Sequence, residues 1–331
     1  MDYITIEVNQ DKGRVINIGE LYETLKQVKD KRQEKGKRYT IEILLMVVIL
    51  AKLCGENTPH GMAEWANMRA EELQTLFAYH RRVSPSNKTL QRLTDTSVED
   101  ENVQAVTRVY LHQTYGGQQS ILITIDGKTL RGTIPKGKTR GVHLLAAYLP
   151  GEGVVLLQIE VGDKENEIVA APKLLRQLDL KGRVVSGDAM FTQRAISVEV
   201  LAGGGDYLWF VKDNQATLHE DVQRFFQAVE HAPGWHIPPL PQMVAEETTK
   251  QSGRIETRRL TAIPDEDNYL QWPGLGTVFK LERHVSRPLK GAESSQVVYG
   301  ITSLRLTPHL AQQLLTWTRQ HWRIENQLHY R

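Results

Sequence analysis

Three carboxylates stand out by residue type and setting: Asp126, Asp188 and Glu325. Asp126 follows the apolar run Ile121–Ile125 and precedes Gly127. Asp188 follows Arg183–Ser186 and Gly187. Each aspartate therefore reads as the end of a short buried strand. If the two strands are parallel neighbours, their carboxyl ends lie side by side, where ligands of open α/β sheets bind. Carboxylates that close repel one another unless a cation sits between them. A donor set made only of oxygen favours Mg²⁺ or Mn²⁺. Glu325 is the best third ligand, on a helix that Trp322 and Ile324 would hold against the sheet. Such a site suits phosphodiester cleavage. Two ions roughly 3.5–4 Å apart can activate the attacking oxygen and stabilise the leaving one. Either aspartate alone reads better as a turn or cap residue. The combination favours a metal site.

Other chemistries lack their residues. There is no GxxxxGK[ST] loop, no GxGxxG after a strand and no HExxH. His60, His80 and His112 are scattered, and His231 and His236 sit in a proline-rich stretch. Cys54 is the only cysteine, which excludes an internal disulfide and a cysteine-rich zinc site and makes a cytoplasmic setting the default. It lies beside an apolar helix and reads as core. A phosphatase using a strand-end aspartate would need a second Asp two residues on, where Lys128 stands.

The elements that must position the carboxylates follow from hydrophobic periodicity. Residues 1–115 read as helical, with an apolar run at Ile41–Leu53, helix-type spacing over Met62–Tyr79 and a further helix over Val98–Tyr115. Ile41–Leu53 is too short to span a bilayer and carries Glu42 and Lys52, so it reads as a buried helix. The start MDYITIEVNQ lacks the basic and apolar regions of a signal peptide. Pro85 ends one element and Ser86 caps the next, which would expose Asn87, Lys88, Gln91 and Arg92. Those side chains suit phosphate and base-edge contacts, or form an ordinary polar face. After Gly116-Gly117 the order becomes strand, strand, strand, helix, strand, helix, strand. This predicts a mixed sheet of the ribonuclease-H-like kind, preceded by an N-terminal helical domain. Residues 213–295, rich in proline, read as an inserted β-rich segment with short pieces such as Arg258–Ala262 and Val278–Leu281. Pro308 then starts a helix running to Leu328.

Forty per cent apolar residues is a soluble globular composition, and a net charge of +2 does not by itself predict nucleic-acid binding. The distribution says more. Lys29, Lys31, Arg32, Lys35 and Lys37 form one cluster. Lys128, Arg131, Lys136, Lys138 and Arg140 form another, directly after Asp126. The second cluster is expected to meet the phosphates of a substrate bound at Asp126.

Several segments together resemble bacterial insertion-sequence transposases of the DDE class, in the H-repeat-associated branch. They are Asp126-Gly127-Lys128-Thr129-Leu130-Arg131-Gly132, Lys164-Glu165-Asn166-Glu167-Ile168, Gly187-Asp188-Ala189-Met190 with Gln193, Gly205-Asp206-Tyr207 and Lys212-Asp213-Asn214-Gln215. Gly253-Arg254-Ile255-Glu256-Thr257-Arg258, Trp272-Pro273-Gly274-Leu275 and the stretch Arg319 to His329 complete the series. The resemblance covers most of the chain in order, including the N-terminal helical half. It implies a ribonuclease-H-like α/β core with a β insertion before the catalytic glutamate. It implies Mg²⁺-dependent cleavage at transposon ends and transfer of the 3′-hydroxyl to target DNA, with double-stranded DNA as partner and a homodimer on that DNA. The triad falls on Asp126, Asp188 and Glu325. DNA contacts are expected from Lys128, Arg131, Lys138, Arg140, Lys212, Asn214, Gln215, Arg319 and His321 around the site, and from Asn87, Lys88 and Arg92 in the N-terminal half. The domain division is 1–115 and 116–331. Thr318 and His321 stand where a related group has tyrosine and arginine, so hairpin-forming chemistry is not implied. Family members continue past the segment matching Leu328-His329-Tyr330, whereas this sequence ends at Arg331. That leaves a shortened, inactive DNA-binding relic as the alternative, with Glu325 less firmly held than the aspartates.

Overall fold

The computed structural model describes residues 16–35, 37–115, 121–130, 133–134, 141–162, 165–227, 240–251, 253–288, 291–322 and 324. The chain divides into two compact units, Met1–Gln118 and Gln119–Arg331.

The first unit is helical. Asn17 caps α1 (Ile18–Leu25) through a hydrogen bond from Glu20 N, and Thr58 caps α3 (Pro59–Met68) with proline in the first turn. Between them, α2 (Ile41–Leu53) is apolar nearly all round because it is the unit's centre. Ile43, Leu44, Met46, Val47 and Ala51 are all buried. The stretch read as one helix over Met62–Tyr79 is two, α3 and α4 (Ala70–Leu76), which break at Arg69. Ser86 caps α5 (Asn87–Arg92) by accepting from Thr89 N, as its position predicts. Leu90 faces the core while Asn87, Lys88, Gln91 and Arg92 are exposed. A π-helical turn, Leu93–Ser97, leads into α6 (Asp100–Tyr115). The first basic cluster is largely ion-paired. Arg32 and Lys37 meet Asp30, and Lys31 meets Glu99.

The second unit is built on a nine-stranded mixed sheet of order β3-β2-β1-β4-β5-β9-β8-β7-β6. β1 (Leu122–Thr129), β2 (His143–Leu149) and β3 (Val154–Glu160) form an antiparallel meander. Helix α7 (Glu167–Leu175) then crosses to β4 (Val184–Gly187), parallel to β1, and α8 (Arg194–Ala202) crosses to β5 (Asp206–Val211), parallel to β4. α9 (Ala216–Arg224) follows.

The insertion departs from the sequence reading. It consists of long strands, β6 (Met243–Gln251), β7 (Arg254–Pro264), β8 (Thr277–Arg287) and β9 (Ala292–Thr302). They extend the same sheet, because β9 pairs with β5. Composition hid this: the outer halves of these strands are polar, so only their apolar cores, such as Leu260–Ile263 and Val278–Leu281, looked like strands. Finally α10 (Leu310–His321) lies across β6 and β7. Leu310, Ala311, Leu314 and Leu315 share a core with Leu122, Val184, Leu208, Phe210, Leu260 and Phe279. Trp209 and Tyr207 face the other way, where Trp209 Nε1 donates to Ser197 on α8. Trp272 Nε1 donates to the same hydroxyl, and Tyr207 donates to the carbonyl of Pro273. The Trp272-Pro273 motif is thus anchored on the face opposite α10. Among the described residues no helix is long and apolar enough to cross a membrane.

Candidate metal centre

The two aspartates take equivalent positions on adjacent parallel strands. The register pairs Leu122 with Val184, Ile123 with Val185 and Thr124 with Ser186. Asp126 and Asp188 each lie two residues further on. Side chains alternate along a strand, so both take the face of Thr124 and Ser186. Those two hydroxyls are fully buried and 3.0 Å apart. Ser186 Oγ is in turn 3.2 Å from Nδ1 of His321, the last residue of α10. A buried polar chain therefore joins both aspartate strands to the end of one helix. α10 starts after β9, whose Thr302 pairs with Leu208, and ends against Ser186 and Phe210. It runs with β4 and β5, toward the edge where the aspartates stand.

One detail differs from a pair of simple strand ends. β1 does not stop at Asp126. It continues to Thr129 along β2, while its pairing with β4 stops at Thr124. Asp126 thus sits where the two strands part. Its Oδ1 accepts from Gly127 N at 2.9 Å. Asp188 is the N-cap of a short 3₁₀ turn, Ala189–Phe191, and accepts from Met190 N at 2.9 Å. That turn is close-packed: a Cβ on Gly187 would come within 2.9 Å of Phe191. It is also tied from below. Thr192 donates to Phe210 O at 2.6 Å, Asn214 Nδ2 donates to Ala189 O at 2.9 Å, and Gln215 donates to Thr192 O. Asn214 and Gln215 hold the backbone after Asp188, a task that their place after β5 in the sequence did not reveal.

His321 is a correction. Expected to face DNA, it is 4% exposed and enclosed by Ser186, Phe210 and Trp322. Burial, with the charge of Lys212, pushes its pKa down to about 3, so the ring is neutral. It positions the helix from within the core. Lys212 is exposed, and Lys128 is half-buried on the Asp126 face, two residues on. Arg319 is partly exposed and paired with Glu247 at 2.7 Å. Arg131, Lys136, Lys138, Arg140 and Glu325 lie outside the described residues. Glu325 follows His321 by four positions in the sequence, and its neighbour Ile324 is 1% exposed. Among the described residues no three metal-ligating side chains converge. The donors that are described, two carboxylates on one face, fit a hard divalent cation.

The opposite side of β1 carries a separate polar chain. Thr129 Oγ1 lies 2.9 Å from His143 Nδ1, and His143 Nε2 lies 2.5 Å from Glu167 Oε1. Glu167 packs against Gly127, where a Cβ would overlap its carboxylate. This chain ties the start of α7 to the strand bearing Asp126.

Comparison with known proteins places the chain in a family. The family described as "Transposase DDE domain" matches residues 117–330, and "DDE_Tnp_1-associated" matches residues 22–110. The chain is 27% identical over 321 residues to the "H repeat-associated putative transposase YhhI" of Escherichia coli (strain K12), covering 96% of this chain and 82% of that protein. It is 31% identical over 284 residues to an "Uncharacterized protein in dhlA 3'region" of Xanthobacter autotrophicus, covering 84% and 92%. A piggyBac transposase synaptic complex with hairpin DNA is a distant structural likeness, with TM-score 0.39 at 13% identity over 92% of this chain and 63% of that chain, too slight to carry an argument. With both family matches in order along the chain, this protein belongs to the DDE transposase domain family, in its H-repeat-associated branch.

Proposed function

We propose that the protein cuts DNA at the ends of an insertion sequence and joins the freed 3′-hydroxyl to target DNA. The observation that carries this reading is the placement of Asp126 and Asp188. They share one face of two parallel strands, two residues past the Thr124–Ser186 hydrogen bond, beside the end of α10. Asp126, Asp188 and Glu325 would hold Mg²⁺ or Mn²⁺, which supplies Lewis-acid activation of the attacking oxygen and charge neutralisation at the leaving one. The cut adds a water oxygen to phosphorus and breaks the P–O3′ bond. In the joining step that 3′ oxygen attacks a target phosphorus and displaces a target 3′-hydroxyl, so no oxidant or further reactant is needed.

The chain's own residues orient the reaction. Asn214, Gln215 and Thr192 fix the turn that carries Asp188, and Ser186 with His321 fixes the helix that leads to Glu325. Lys128, Lys212 and Arg319, with Arg131, Lys138 and Arg140, are the proposed phosphate contacts near the site. Asn87, Lys88 and Arg92, exposed on α5, are the proposed contacts of the helical domain, 1–115. The order β3-β2-β1-β4-β5 supports a ribonuclease-H-like core in residues 116–331. Its insertion, read as 213–295, is carried by β6 to β9, which run to Thr302. A homodimer on double-stranded DNA is the proposed assembly. The relic reading is not favoured, since the family match runs through the position of Glu325.

The test is cleavage of a labelled duplex carrying the element's terminal repeat, with and without Mg²⁺. Cleavage at the repeat boundary is expected from the wild type. It should vanish in Asp126→Asn, Asp188→Asn and Glu325→Gln while duplex binding persists. Cleavage near the parent rate in Asp188→Asn would overturn the assignment.

A further inference from the structure

The motif Arg254-Ile255-Glu256-Thr257-Arg258 has no part in the carboxylate site, yet its charges alternate with strand period. Arg254, Glu256 and Arg258 share one face of β7. The register sets Arg283 opposite Arg258, and Leu281 opposite Leu260. The same face thus changes character along its length. Near the centre of the sheet it is apolar, with Ala245, Leu260, Phe279 and Leu281 packed under α10. Beyond the helix it becomes cationic, with Arg254, Arg258, Arg283 and Arg287. Arg319 and Trp322 from the end of α10 complete one wall, and the groove so formed encloses about 760 Å³.

Its charge is not self-compensated. Glu256, nearly buried, serves Arg254, Arg258 and Arg283 together. Burial opposes its ionisation, but hydrogen bonds from Arg283 and Arg258 outweigh that and hold its pKa at about 2. Arg319 has Glu247. Arg287 is exposed and has no partner among the described residues. Arg254 Nε is enclosed and lacks an acceptor among the described residues. Five guanidinium groups thus face two carboxylates, with a buried donor unused. Folding alone does not explain such an excess, because like charges gathered on one face repel. Guanidinium forks match phosphate oxygens.

We infer that this groove binds the sugar–phosphate backbone of a single DNA strand beside the metal centre. Its volume is that of a small-ligand cleft, and a single strand is the narrower of the two forms of DNA. The ring of Trp322, 36% exposed, offers an apolar surface at the wall, and arginines combined with an aromatic are the usual means of holding an unpaired strand. The position next to the reaction rests on the proposed function, since Trp322 precedes Glu325 by three residues and its neighbour His321 touches Ser186. The charge argument does not depend on it.

The test is fluorescence anisotropy of a short labelled oligothymidine, with a duplex of equal length in parallel, across a salt series without metal. Arg254→Gln combined with Arg287→Gln should weaken single-strand binding roughly tenfold and lower the log–log salt slope by about 1.4, two phosphates at roughly 0.7 each. Arg259→Gln, on the other face of β7, should leave both unchanged. Should the double variant unfold, Arg287→Gln alone is read the same way, with a slope change of about 0.7. Unchanged affinity and slope, or an equal loss in Arg259→Gln, overturns the groove. So does a loss that falls on the duplex only. The readout contains no metal, so failure of the groove and failure of the proposed reaction are seen separately.

Discussion

His321 shows how much one side chain can decide. It is held neutral by burial, with a pKa of about 3 against an ordinary value near 6.5. Its folded pKa is depressed, so between those values the unfolded chain binds the extra proton. Stability is therefore lost as pH falls from about 6.5 toward 3, by about 1.4 kcal/mol per unit. Glu256 also has a depressed pKa, about 2 against 4.5, and its contribution is lost at more acidic pH, as pH falls from 4.5 toward 2. Acid denaturation of wild type and His321→Gln should separate the two: the variant should lack the slope above pH ~4.5 and below it should keep only the Glu256 part of the fall. Identical profiles would mean that His321 is not buried as described. Ser186→Ala leaves Thr124 and His321 without their shared partner and should destabilise the fold by about 1–3 kcal/mol in denaturant unfolding.

At the scale of elements, the turn after Asp188 is the part most open to test. Asn214 and Gln215 bond to its backbone at Ala189 and Thr192. Losing either bond should let Asp188 shift, and misplacement by about 1 Å can cost on the order of a hundredfold in rate. Asn214→Ala is expected to slow cleavage by roughly ten- to a hundredfold with duplex binding intact. Weaker binding at an unchanged single-turnover rate would instead make Asn214 a DNA contact. Further along the sheet, Gly300 lies where a Cβ would come 2.5 Å from Trp209 O and would also meet the Phe279 ring. It lets β9 join β5 to the insertion. Gly300→Ala should cost about 1–3 kcal/mol by overpacking, read as a lower denaturation midpoint.

At the scale of the molecule, the two units carry separate cores and are expected to divide the labour. Residues 119–331 alone should retain Mg²⁺-dependent nicking of DNA, with poor preference for the element's ends. Residues 1–118 should bind duplex DNA without cutting it. Substituting Asn87, Lys88 and Arg92 together by Ala in the full chain should weaken end binding and lower the salt slope by about 0.9 for each phosphate no longer neutralised. End selection undiminished in residues 119–331 would assign recognition to the catalytic unit instead.

The sequence by itself determined the helical first half, the meander and two crossovers of the second, and the two aspartates. Their apolar strands and the glycines beside them are local signals, and period-two and period-3.6 patterns survive without knowledge of partners. It also marked Ser86 as a cap, because capping is local chemistry. Tertiary structure alone decided the rest. Whether His321 meets DNA or the core depends on Ser186 and Phe210, residues more than a hundred positions away in the chain. Asn214 and Gln215 are polar in any setting, and only the approach of β5 to the Asp188 turn gives them backbone to hold. The insertion strands looked short because half of each is polar, and in β7 and β8 that half carries arginines. That half became intelligible once the register placed Arg258 opposite Arg283 and α10 was seen to end there. Pairing partners that lie far apart in sequence leave no periodic trace in either strand, so the groove they form belongs to the fold.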